Sequence, residues 1–152
     1  MNAMETATLY LDDLSVGQRF VSAKQTITVD QIKAFAAQYD PQPFHLNEAA
    51  AGATFFRGLA ASGWQVAALT MRLIVDSVPI AGGIIGAGGE IEWPRPTRPG
   101  DVLHVESEVI EIIPSQSRPE RGIARLRSET KNRNGDTVQV LTAKLVVFRK
   151  AA

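Results

Sequence analysis

Ser62-Gly63-Trp64-Gln65-Val66-Ala67-Ala68-Leu69-Thr70-Met71-Arg72-Leu73-Ile74-Val75-Asp76 carries apolar side chains on nearly every side of a helix. A helix that is apolar all round is buried all round. The pattern therefore predicts a central helix over residues 63–76, capped by Ser62 and wrapped by a sheet that the rest of the chain must supply. Gln65, Arg72 and Asp76 interrupt the run, which is too broken to cross a bilayer.

The strands are readable downstream at residues 82–93, 102–113, 121–132 and 137–149. In the second of them Leu103, Val105, Ser107 and Val109 alternate with His104, Glu106 and Glu108, as on a strand with one face in the core. Asn134-Gly135 is a strong hairpin signal between the last two. Pro94-Arg95-Pro96-Thr97-Arg98-Pro99-Gly100-Asp101 reads as a stiff connector, its PxxP spacing being that of a turn. Upstream, residues 9–17 form an entry segment ending in a turn, and a first strand is expected over residues 19–27, with Phe20 and Val21 available for packing. Five strands and one buried helix make an α+β architecture with a curved antiparallel sheet.

Before the central helix, Thr28 and Gln31 form a capping box, and Ile32, Phe35, Ala36 and Tyr39 recur at helical spacing. A helix over residues 29–39 follows, and it delivers the chain to Tyr39-Asp40-Pro41-Gln42-Pro43-Phe44-His45. Each proline fixes its own φ and restrains the residue before it, so Asp40 and His45 sit in a stiffened loop. A carboxylate and an imidazole held together are the usual ingredients of proton transfer. The same residues also suit a plain turn opener and a structural histidine. The helix dipole would raise the Asp40 pKa and a charged His45 would lower it; the sequence leaves the sign open. Asn47 and residues 48–51 read as an N-cap and a short helical turn, followed by irregular chain to Leu59.

The Asp40-Pro41-Gln42-Pro43-Phe44-His45 stretch resembles the Asp-x-Asn-Pro-apolar-His signature of the MaoC-like dehydratases, the family of (R)-specific enoyl-CoA hydratases. Gln42 stands where that family usually has Asn, and Tyr39 where it often has a small residue. The likeness extends to Val16-Gly17, the Thr28-capped helix, the Ser62-Gly63 step, Trp93-Pro94-Arg95-Pro96 and Pro99-Gly100-Asp101. It implies a single hot-dog domain over residues 1–152, dimeric or a dimer of dimers. It also implies a lyase that reversibly adds water to a 2-enoyl thioester, with Asp40 and His45 as the acid/base pair and the Gly63 N–H polarising the thioester carbonyl. Gln42, Phe44, Ser62, Trp64, Arg95 and Arg98 are the expected substrate contacts. The substrate would be an acyl-CoA or acyl-carrier thioester, with CoA part of the substrate and no separate cofactor. A hot-dog thioesterase and a non-catalytic acyl-thioester binding protein are the alternatives.

Composition narrows the other classes. Of 152 residues, 45% are apolar and 21% charged, as in ordinary globular proteins. Sixteen basic residues balance sixteen acidic ones, which disfavours nucleic acid and anionic membranes as partners. The absence of cysteine excludes disulfides and thiolate metal sites. With no secretory signal legible in residues 1–10, a cytoplasmic location is expected. The glycines at positions 82, 83, 86, 88 and 89 fit no phosphate-loop spacing and suggest bulged strand. Two histidines without acidic neighbours at helical spacing make a metal site improbable, and His104 is expected to face solvent. Arg125 and Arg127 read as a solvated strand face, with phosphate binding as the alternative.

Overall fold

The computed structural model describes residues 8–151, so most of the stretch read for a secretory signal lies outside the described residues. A 3-10 turn at Leu11–Asp13 opens the fold, and β1 (Arg19–Val21) and β2 (Gln25–Thr26) follow. Then come α1 (Val29–Tyr39), α2 (Pro43–Leu46), α3 (Glu48–Gly52) and the central α4 (Gly63–Ser77). The chain ends in β3 (Ile85–Glu92), β4 (Val102–Pro114), β5 (Arg121–Lys131) and β6 (Thr137–Phe148). All strand pairs are antiparallel in the order β1-β4-β5-β6-β3, with β2 also on β4.

The expected first strand is two strands. Its break falls at Ser22, whose N–H donates to the Val105 carbonyl while its Oγ accepts from the Val105 N–H. That side-chain bond replaces a rung of the ladder and lets the chain turn, so β1 pairs with Ser107 and its neighbours and β2 with Leu103. The glycine run divides: Gly82 and Gly83 lie ahead of β3 with φ of 79° and 100°, outside the expected strand, while from Gly86 to Gly89 it is bulged strand, the β3–β6 register shifting between those two. At Gly89 a Cβ would lie 2.3 Å from the Thr142 carbonyl oxygen, so only glycine lets β3 close on β6 there. β3 pairs with β6 alone and is a sheet edge among the described residues.

The sheet's inner face meets α4 in two apolar clusters. One joins Leu73, Ile74 and Val78 to Val105, Val109, Leu126, Leu145 and Val147. The other, beneath the site, joins Val66 to Ile27, Ile32, Ala51, Leu59, Leu103 and Val138. Buried hydroxyl pairs, Thr70 with Thr130 at 2.6 Å and Ser107 with Ser128 at 2.8 Å, satisfy one another between them.

α4 is not buried all round. Val66, Thr70, Leu73 and Ile74 are buried, whereas Trp64, Ala68, Met71 and Val75 form an exposed stripe at spacings of four, three and four. The physical reason is geometric: one curved sheet covers one side of a cylinder, and the described residues supply no second layer for the other. This is the α+β hot-dog arrangement, a sheet curled about a long helix whose outer side stays open. Among the described residues no helix is long and apolar enough to cross a membrane.

Candidate active site

Four short-range devices bring the site together. Thr28 and Gln31 close their capping box, with Gln31 N to Thr28 Oγ1 at 3.2 Å and Thr28 N to Gln31 Oε1 at 3.0 Å. α1 then ends at Asp40, whose N–H donates to the Ala36 carbonyl. Pro41 turns the chain, and Pro43 takes the first position of α2, where a missing N–H is harmless. His45 therefore sits on a one-turn helix rather than in a loop. The Asn47 side chain accepts from the Ala50 N–H and starts α3, as its sequence suggests.

Asp40 and His45 meet: His45 Nε2 lies 3.2 Å from Asp40 Oδ2. His45 is only 4% exposed, and its other nitrogen, Nδ1, lies 2.7 Å from the Ala60 carbonyl oxygen. A carbonyl can only accept, so Nδ1 carries a proton and Nε2 is the nitrogen that faces Asp40. Phe44 packs edge-on against the imidazole and against Phe56, supporting the ring rather than lining a cleft.

Ser62 does not cap α4. Its Oγ turns back and donates to Asp40 Oδ2 at 2.7 Å, and Gln42 Nε2 donates to Oδ1. Burial pushes the Asp40 pKa up, but the bonds from Ser62 and Gln42 and the positive charge of His45 outweigh it and hold the carboxyl below its ordinary value. The sign that the helix end left open is thus set by donors that come from other segments.

Beside His45 opens a cleft of about 450 Å³, lined mainly by Phe55, Phe56, Val66, Trp93, Val138 and the Pro94–Thr97 connector. Gly63 lies on its wall, and among the described residues no acceptor takes the Gly63 N–H, as expected in the first turn of a helix. The Trp93 ring fills the place where a side chain at residue 63 would be: a Cβ there would sit 2.6 Å from Trp93 Cε2. Trp93 donates its Nε1–H to Gln139 Oε1 at 2.9 Å and meets Trp64 edge to face. Trp64, expected to touch substrate, backs Trp93 from outside with 62% exposure.

The arginines divide. Arg95 lines the cleft, with Nη1 3.8 Å from Asp136 Oδ1. Arg98, expected among the substrate contacts, turns its guanidinium onto the carbonyls of Phe56, Gly58 and Leu59, which removes it from the cations open to a phosphate. Arg125 pairs with Glu111 and Arg127 with Glu129 on the sheet, in keeping with a solvated face. His104 is half-buried, not solvent-facing, because Glu106 and Lys131 enclose it in an ion-pair network. Sequence reasoning missed Trp93 as a cleft wall, Phe56 and the Ala60 carbonyl. The first had a signal, a large ring beside a glycine-led helix; a backbone acceptor leaves none.

A buried imidazole paired with a partly buried carboxylate beside an apolar cleft, inside a hot-dog fold, sets the class of protein. Within it, residues 13–132 match the model of the MaoC like domain, and the chain belongs to the MaoC-like dehydratase family. A MaoC-like dehydratase from Rhodospirillum rubrum has a crystal structure superposing with a TM-score of 0.93 at 57% identity, covering 95% of this chain and 99% of that one. An unliganded (R)-hydratase from Pseudomonas aeruginosa superposes with a TM-score of 0.77 at 29% identity, covering 94% and 88%. The 3-hydroxybutyryl-CoA dehydratase of Methylorubrum extorquens is 30% identical over 114 residues, 75% of this chain and 72% of its own. These likenesses support hydratase or dehydratase chemistry in general.

Proposed function

We propose that the protein reversibly hydrates a 2-enoyl-CoA to a 3-hydroxyacyl-CoA. The observation that carries the proposal is the His45–Asp40 pair at 3.2 Å, its tautomer fixed at the Ala60 carbonyl, beside an apolar cleft lined in part by Gly63, whose N–H has no acceptor among the described residues. The pair takes a proton from water as the oxygen bonds to C3. The electron pair of the double bond moves toward the thioester carbonyl, whose growing negative charge is held by the Gly63 N–H at the positive end of α4. A proton returned from the pair to C2 restores neutrality, so one proton leaves water and one reaches carbon. Dehydration is the same path reversed.

The enzyme works as a homodimer in this proposal, because both the β3 edge and the α4 stripe are left uncovered by one chain. Light scattering at micromolar concentration should give twice the chain mass or more; an active monomer contradicts the dimer alone. The reaction is tested by incubating the purified protein with enoyl-CoAs of increasing length. Loss of the conjugated double bond is the expected result. Release of free CoA would mean a thioesterase instead, and saturable binding without turnover a binding protein.

A further inference from the structure

We infer that Arg98 is a positioning residue for His45, acting through the segment Phe56–Ala61 as a latch. The inference rests on His45 belonging to the proton-transfer pair. The Ala60 carbonyl that fixes the imidazole belongs to an irregular stretch without helix or strand to hold it, in which Arg57 has a φ of 55°, unusual for a side chain of that size. Three consecutive features anchor this stretch. Arg98 Nη1 donates to the Gly58 and Leu59 carbonyls at 3.0 and 3.2 Å, and Nη2 donates to the Phe56 carbonyl. The Ala60 N–H donates to the Phe44 carbonyl at 3.0 Å, and the Ala61 N–H to the Thr97 carbonyl at 2.9 Å.

Carbonyls that converge from an irregular loop need a donor with several N–H groups in one plane, which is what a guanidinium offers and an ammonium does not. Arg98 has no carboxylate partner for its guanidinium among the described residues, so its charge is directed at these carbonyls. Its own backbone is fixed in turn: its N–H donates to Asp101 Oδ2 at 2.8 Å and its carbonyl accepts from the Asp101 N–H at 3.1 Å. At Gly58 a Cβ would stand 3.3 Å from Arg98 Nη1, so the glycine gives the guanidinium its close approach. The path is short: Arg98 holds the Leu59 carbonyl, the next residue's carbonyl holds Nδ1–H, and Nε2 is left to face Asp40. With the latch gone, the Ala60 carbonyl moves and the proton is free to settle on either ring nitrogen.

The test uses Arg98→Ala and, against the chance that it fails to fold, Arg98→Lys. Misplacing a catalytic group by a fraction of a bond length to a bond length lowers rate by up to about 100-fold. The expected result is a fall in kcat of about 10- to 100-fold with KM changed by less than about twofold, partly restored in Arg98→Ala by millimolar guanidinium ion. In a His45→Ala background Arg98→Ala should add little further loss, because the two act as one unit. Nitrogen-15 NMR of the imidazole should show the neutral-ring proton on Nδ1 in the parent and a substantial share on Nε2 in either Arg98 variant. An unchanged tautomer in both variants, or an undiminished loss in the His45→Ala background, overturns the latch. The NMR readout needs no turnover, so a protein that hydrates nothing would sink the proposed reaction while still deciding the role of Arg98.

Discussion

The corner around Asp40 and the wall around Trp93 border the same cleft and are built on opposite principles. At the corner nearly every polar atom has a named partner: both carboxylate oxygens of Asp40 and both nitrogens of His45 are engaged. The wall is made of Phe55, Phe56, Val66, Trp93 and Val138, whose side chains make a single hydrogen bond, from Trp93 to Gln139, to orient it. Hydrogen bonds fix direction, while dispersion and apolar contact fix little more than volume. Under the proposed function the contrast implies that reaction type is set at the corner and acyl preference at the wall, so that each should be alterable without the other.

The largest effects belong to the corner. Asp40→Asn and His45→Ala should each lower kcat by about 10²- to 10⁴-fold, the range of positioned acid/base groups, and the double variant should lose little more than either. Near-normal turnover in either single variant would end the assignment. Circular dichroism spectra matching the parent are expected for both.

Ser62→Ala comes next. It removes the hydroxyl that donates to Asp40 Oδ2, so the carboxyl pKa rises from its lowered position and turnover falls by about tenfold. The sign is fixed by the direction of the shift. A carboxyl depressed in the fold contributes stability that is present above its unfolded pKa and lost as pH falls through its folded one. Acid titration should therefore show the parent protein holding its stability and its kcat/KM to lower pH than Ser62→Ala. Coincident acid limbs would mean that Ser62 does not act on Asp40.

Sequence reading reached the corner because its parts are local. The capping box, the two prolines and the five-residue step from Asp40 to His45 all act within one or two turns of chain, where side-chain type dictates geometry. It reached β4 to β6 for the same reason, since alternation is a property of neighbours. It failed where a residue's role depends on what the rest of the chain brings to it. Ser62 has the sequence of a cap, yet its hydroxyl is claimed by a carboxylate 22 positions earlier. Arg98 looks like a free cation, yet three carbonyls some 40 positions earlier claim it. α4 looks buried on every side because its composition cannot reveal that one sheet covers one side.

Changes at the wall should be smaller and of a different kind. Trp93→Ala enlarges the cleft and should shift kcat/KM toward longer or branched acyl chains by about tenfold, while kcat on the best substrate stays within a few-fold. A loss of kcat on all chain lengths comparable to that of Ser62→Ala would erase the distinction between corner and wall. The smallest effect is expected at Phe55, which is 93% exposed at the lip: Phe55→Ala should change KM by only a few-fold and stability by less than about 0.5 kcal/mol. Calorimetric melting and a substrate titration measure both.

The contact between Gly63 and Trp93 also constrains the order in which this sequence can change. Any side chain at residue 63 starts with a Cβ only 2.6 Å from the indole ring, so the ring must shift or shrink before another residue is tolerated. Descent from this sequence therefore has a one-way door: a smaller residue at 93 can come first and enlarge the cleft, whereas a change at 63 first meets a clash. Relatives that lost glycine at this position should carry a smaller residue at the position of Trp93, and the pair Gly63→Ala with Trp93→Leu should be better tolerated than Gly63→Ala alone.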